Sequence, residues 1–200
     1  KKGSHIAVPR VLLGNFKDVK CINLLDHLDK LDRGFFVGES IKEFLKENRF
    51  EVKQLFKEHG YSRSMFPRSI RESIIPIKIL KDAYCLGFRL TNLDGVYYKD
   101  HNCSRGIPVL LELDENLLTF FGLWIADGCY DKSSVILSVV EDENREILRK
   151  FVSKYNLTIK MHSDTFSLML NSSSFRRIMR EVFGLKGNAY TKRIPEWMFS

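Results

Sequence analysis

The sequence predicts an α+β protein, with a small helical unit followed by a section in which helices and strands alternate. Three observations carry this. Residues 37–90 place apolar side chains at helical spacing between glycine and proline stops. Residues 91–108 collect turn signals (Asn92, Asp94-Gly95, Asn102, Arg105-Gly106, Pro108) and read as a linker. Residues 109–200 switch between helical spacing and alternation.

Residues 1–36 read as a lead-in. His5 to Leu13 forms a short strand whose Pro9 marks an edge or an end. Cys21 to Leu31 has apolar positions 24, 25, 28 and 31, which is helical spacing. In the next unit Ser40 caps a helix carrying Ile41, Phe44 and Leu45. A second helix covers Glu51 to Glu58 and stops at His59-Gly60. A third starts near Ser62 and bears Arg63, Arg68 and Arg71, with Pro67 either setting its first turn or breaking it. Pro76 opens a fourth, Ile77 to Leu86, ended by Gly87. From Gly60 to Arg89 there are six basic residues and two acidic ones. Two readings fit equally: a helix-turn-helix whose arginines meet nucleic acid, or a helical bundle with a solvated basic face. In the last section the pattern gives a helix (114–127), a strand (133–140), a helix (142–155), two strands (157–162, 165–170) and a helix (172–183). Ser163-Asp164 supplies the turn between the two strands.

Composition narrows the class. The net charge of +7 favours polyanionic partners. No apolar run is long enough to span a membrane, for which about 18 residues are needed, so no membrane partner is expected. The four cysteines are far apart and fit no metal-ligand spacing, as expected of reduced thiols in a cytoplasmic protein. A small-molecule α/β enzyme is disfavoured, since no glycine-rich phosphate loop and no nucleophile–base set is present.

The helix at 114–127 carries the most chemistry. Asp114 is its N-cap and Glu115 complements its dipole. Gly122 and Ala126 share one face and permit close approach of another helix. Asp127 sits at the C-terminal end, where the dipole disfavours a carboxylate and a bound cation would reverse that penalty. Aspartate and backbone carbonyls are hard oxygen ligands suited to Mg2+.

The stretch Phe120-Phe121-Gly122-Leu123-Trp124-Ile125-Ala126-Asp127-Gly128 resembles the LAGLIDADG signature of homing endonucleases. Gly184 to Phe199, with Lys192-Arg193-Ile194-Pro195-Glu196-Trp197, looks like the Lys-x-Ile-Pro segment of intein-associated members. Lys2 to Arg10 is similar to the segment joining an intein's splicing half to its endonuclease, although Gly3-Ser4-His5 also fits a cloning scar. Asp100-His101-Asn102-Cys103 contains the His-Asn-Cys of an intein junction, but its mid-chain position reads as a polar turn. The resemblance covers roughly residues 109–200 and shows one motif where the family uses two, so a fragment or a homodimer is expected.

The resemblance implies an αββαββα fold with the sheet as a saddle over duplex DNA, and Mg2+-dependent double-strand cleavage at a long site. Asp127 and the Ala126 carbonyl would be metal ligands, and Gly122 and Ala126 would pack against a second LAGLIDADG helix. Lys192 would be a catalytic basic group near the phosphate, its alternatives being a solvated lysine or a simple phosphate contact. Lys132, Lys160, Arg176 and Arg193 are candidates for phosphate contacts. Ser134, Ser138, His162 and Ser167 are candidates for base contacts. A cleavage-inactive DNA-binding protein and an RNA maturase are the alternatives on the same scaffold.

Overall fold

The computed structural model describes residues 21–101, 105–155, 157–161, 167–188 and 190–195. The expected strand at 5–13, the junction-like segment 2–10, His162 and the 163–164 turn lie outside the described residues. Strands and helices are labelled below in chain order. Ten short strands form a two-stranded ribbon and two four-stranded antiparallel sheets among the described residues.

The segment expected as a helix at 21–31 instead gives strand β1 (Cys21–Asn23) and a 3-10 turn, Leu24–His27. Asn23 explains the difference. Its side-chain oxygen accepts from the Leu25 amide at 3.1 Å and starts the chain on a tight turn. Leu24, Leu25, Leu28 and Leu31 are buried all the same, so the apolar spacing is satisfied without an α-helix.

The middle unit is not purely helical, which corrects the expectation from sequence. Strand β2 (Phe35–Val37) precedes α1 (Glu39–Glu47), α2 (Arg49–Glu58) and α3 (Met65–Glu72). Strand β3 (Ile74–Pro76) and α4 (Ile77–Cys85) follow, then β4 (Tyr97–Lys99) and β5 (Ile107–Pro108). The sheet order is β3-β2-β4-β5. Residues 91–108 are therefore no linker. Val96, Tyr98, Ile107 and Val109 are buried at alternating positions. Tyr98 and Ile107 lie in β4 and β5, which complete the sheet, and Val96 and Val109 flank them, the Val109 amide donating to the Val96 carbonyl. Helix α1 begins one residue before Ser40, with Gly38 as its cap, and Ser40 is buried within the first turn. The turn at Gly60 and the proline start of α4 are where the sequence places them.

Strand β6 (Leu110–Glu112) pairs with β1 and leads into the last section. There the order is α5 (Glu115–Asp127), β7 (Gly128–Tyr130), β8 (Ser134–Ser138), α6 (Asp142–Lys154), β9 (Ile159–Met161), β10 (Ser167–Asn171) and α7 (Ser173–Arg177). A π-helical turn, Ile178–Val182, extends α7. The sheet order β7-β8-β10-β9 is antiparallel throughout. Register divides its faces. Val135 and Leu137 align with Leu170 and Leu168 on the buried side, under Phe120, Phe151 and Phe175. Those three rings stack and cross with centroids 4.6, 5.2 and 5.3 Å apart. Ser134, Ile136, Ser138, Met169 and Lys160 share the opposite face. None of the described helices is long and apolar enough to cross a membrane. The described cysteines, Cys21, Cys85 and Cys129, are free.

Asp114 caps α5 as expected, accepting from the Leu117 amide at 2.9 Å, and also meets the Lys154 ammonium at 2.7 Å. Partial burial pushes its carboxyl up, but the Lys154 partner and the Leu117 amide outweigh this and hold it below the usual range. A depressed folded-state value means the contribution is complete at neutral pH and fades as pH falls through the carboxylate range. Asp114→Ala is expected to cost about 1 kcal/mol in urea melts at pH 7, while Asp114→Asn, an equivalent cap, costs less. Equal losses for the two variants would show that the cap contributes nothing.

Candidate functional site at the end of helix α5

Helix α5 ends abruptly because of Gly128. This residue is already extended, and its amide donates back to the Trp124 carbonyl. A Cβ there would lie 2.5 Å from Trp124 Cδ1 and 2.7 Å from Trp124 Cα. Only glycine lets β7 leave the helix so close to the indole. Trp124 is fully buried, whereas Ala126 and Asp127, on the last turn, are exposed.

Lys192 reaches two carbonyls of that last turn, one of which also accepts the Gly128 amide. Its Nζ donates to the Trp124 carbonyl at 2.8 Å and the Ile125 carbonyl at 3.4 Å, and lies 5.0 Å from the centre of the Trp124 ring. A cation at a helix C-terminus is favourable, and the aromatic face adds to it. Lys192 is therefore neither a freely solvated lysine nor a remote contact. Partial burial pushes its ammonium below the usual lysine value, and the Asp127 charge opposes that effect. The loop that delivers Lys192 is tight. The amides of Thr191 and Lys192 both donate to the Asn188 carbonyl at 3.0 Å. Gly187 has φ +106, and a Cβ on it would press on the Lys192 amide nitrogen at 2.9 Å.

Asp127 and Lys192 face a cavity of about 520 Å³, also lined by Tyr130, Arg176, Arg180 and Asn188. Arg176 belongs to α7 and Arg180 to the π-helical turn after it. Their guanidinium carbons lie 5.5 and 5.8 Å from the centre of the Tyr130 ring. Four residues singled out in the sequence thus meet in one place: Ala126, Asp127, Arg176 and Lys192. Arg180, Tyr130 and Asn188 were missed. The i, i+4 spacing of Arg176 and Arg180 is the signal that could have found the second arginine.

The other candidates lie elsewhere. Arg63, Arg68 and Arg71 are exposed in and before α3 in the middle unit, and Arg68 Nε bonds both Glu72 oxygens at 2.9 and 3.0 Å. Arg68 is thus occupied by its own helix. Lys132 is exposed between β7 and β8, and Lys160 stands on the open face of the sheet. Arg193 lines a second, shallower cavity with Ile194 and Pro195. The serines expected to read bases do share the open face, but they bond one another's strands. Ser134 donates to Asn171 Oδ1 at 2.7 Å, and the Ser138 and Ser167 hydroxyls are 3.3 Å apart. Ser134 and Ser167 are buried, which leaves Ile136 and Met169 half-exposed between the two polar pairs.

Asp127 is the cavity's one carboxylate among the described residues. No group of three or more His, Cys, Asp or Glu side chains is placed to hold a metal among the described residues. The donor set suits Mg2+ as half of a site, because this ion accepts one or two carboxylates and keeps waters or phosphate oxygens for the rest. The stripe beside it is uncovered. Gly122 and Ala126 are exposed, Leu118 is 47% exposed, and a Cβ built on Gly122 would meet nothing within 4 Å. Glycine inside a helix costs about 1 kcal/mol against alanine, and no contact among the described residues offsets that. Neither the family models nor the curated proteins nor the solved structures compared with the chain match it.

Proposed function

We propose that the chain is one half of a Mg2+-dependent DNA endonuclease of the LAGLIDADG type. The observation that carries the reading is the end of α5. Asp127 projects into a cation-lined cavity directly after a helix face of small, uncovered residues. The order α-β-β-α-β-β-α and the sheet's open face support the same reading, with the duplex lying along that face. A second LAGLIDADG helix, from another copy or from a continuing chain, packs on Gly122 and Ala126 and brings a second carboxylate. Asp127 and its counterpart would hold Mg2+, with the Ala126 carbonyl as a further oxygen ligand. Bound there, the ion would supply positive charge to the phosphate and help activate water. Lys192 keeps positive charge at the helix end and orders the last turn, which fixes the direction in which Asp127 leaves it. A plasmid-nicking assay over a random-sequence library, with and without Mg2+, tests the activity. Duplex binding with no Mg2+-dependent nicking would favour a cleavage-inactive binding protein, a reading that the lone carboxylate also fits.

The seam has its own test. Gly122→Leu is expected to leave the melting temperature of the isolated chain unchanged or higher, because the new side chain enters open space and glycine's helix penalty is removed. The same variant weakens self-association by sedimentation, since leucine prevents the two helices from closing. A lower melting temperature with unaltered association would mean that Gly122 serves this chain's own packing.

A further inference from the structure

Three arginines occur within five residues of α7 and its π-helical extension, and they are used differently. Arg177 is tied to acids: its Nε is 3.4 Å from Asp100 Oδ2, and its Nη1 bonds Asp32. Arg176 and Arg180 turn the other way, to the cavity. Arg176 Nε is buried and has no hydrogen-bond partner among the described residues. Arg180 has a distant acid, Glu181, at 3.8 Å, and the other Glu181 oxygen is held by Lys186 at 2.8 Å. Like charges at i and i+4 repel, and an unpaired buried donor is unfavourable, so the described residues gather more positive charge here than their carboxylates offset. Tyr130 fixes the geometry. Its hydroxyl donates to the Leu185 carbonyl at 2.7 Å, which locks the ring under both guanidinium groups. Among the described residues the lining of the cavity carries three cations, Arg176, Arg180 and Lys192, against the single carboxylate of Asp127.

We infer that Arg176 and Arg180, held on the Tyr130 ring, form a cradle for a phosphodiester group of a polynucleotide backbone beside Asp127. Planar guanidinium forks match the two non-bridging oxygens of such a group. The π-helical turn contributes by displacing Arg180 from regular α-helical placement; such turns are frequent at functional sites. The inference rests on the endonuclease reading for its ligand, but not for its anion-binding chemistry, and the two are separable by experiment.

The full chain is treated with phenylglyoxal, and arginine modification is mapped by mass spectrometry alone, with inorganic phosphate, and with a duplex in EDTA. Duplex is expected to protect Arg176 and Arg180 but not Arg149, 65% exposed on α6, with weaker protection by phosphate. In parallel, the Arg176→Gln/Arg180→Gln variant is expected to bind duplex about tenfold more weakly at low salt. The slope of log affinity against log salt should fall by about one, as for one lost phosphate contact. Arg180→Lys keeps the charge without the fork, so it should recover part of the affinity. Unprotected arginines, or an unchanged salt slope in a folded variant, would overturn the cradle even if the protein nicks DNA. Protection by phosphate without protection by duplex would overturn the polynucleotide assignment. Protection by duplex in a protein that never cuts would uphold the cradle while the nuclease reading fails. The footprint uses the unaltered chain, so a variant that does not fold leaves it decisive.

Discussion

Asp127→Asn is expected to reduce Mg2+-dependent plasmid nicking by at least about a hundredfold while leaving duplex affinity in EDTA largely unchanged. The magnitude follows from the several kcal/mol that a bound cation supplies to a phosphoryl transition state, each 1.36 kcal/mol being about tenfold in rate. Asparagine keeps the size and shape of aspartate and loses the charge that attracts the ion. The structure separates this effect from simple damage. Asp127 is exposed and ends a helix, where the dipole disfavours a negative side chain. The neutral variant escapes that penalty but loses the attraction to the Lys192 ammonium, so it should melt at much the same temperature. Unchanged stability coupled to a loss of cleavage is what a functional carboxylate would give. Undiminished nicking would remove Asp127 from the chemistry, and a lowered melting temperature would make it a structural residue.

How much of this was legible in the sequence depends on the range of the interactions. Helix α5 was readable because its signals are local: the Asp114 cap, the wide apolar surface and the glycine stop lie within one short stretch. The four helices of the middle unit were readable for the same reason. Its sheet was not. Strands β2, β3, β4 and β5 have two or three residues each, too few to display alternation, and β2 meets β4 across a gap of about sixty residues. Turn-rich composition at 91–108 suggested a linker, because Val96, Tyr98, Ile107 and Val109 are spaced among glycines and polar residues. The site shows the same division. Asp127 announces itself by its place at a helix end. Tyr130 does not, because its partners Arg176, Arg180 and Leu185 come from the far end of the chain. Lys192 was singled out for a role near phosphate, and its bonds to the Trp124 and Ile125 carbonyls became visible only once the chain had folded back onto α5.

The second large effect is expected at Asp100, which joins the middle unit to the last section. Its side chain is 5% exposed and meets Arg177 Nε and Arg33 Nε, each at 3.4 Å. One of its oxygens also accepts from the His101 amide at 2.8 Å, and its own amide donates to Ser174 Oγ at 2.8 Å. The sequence suggested a polar turn here; the fold makes it a buried junction between the end of β4 and the start of α7. Asp100→Ala leaves the Arg177 guanidinium, only 13% exposed, with Asp32 alone, and deprives the His101 amide of its acceptor. Breaking a buried pair by removing one partner costs about 3 kcal/mol, more than the pair itself contributes, because the remaining charge stays buried. Asp100→Asn keeps an oxygen for the amide and should lose less. The effect should appear as a lower urea midpoint at an unchanged m-value. Replacing Arg177 by Met in the Asp100→Ala background removes the stranded charge, so the double variant should be less damaged than the sum of the single ones. Strict additivity would mean that the two groups do not interact. The junction also bears on the cavity, since α7 carries Arg177 on the side facing Asp100 and Arg176 on the side facing Tyr130. If Asp100 sets the placement of that helix, Asp100→Ala should weaken duplex binding at temperatures where the variant is still folded, whereas a change of comparable cost in the middle unit's core should not.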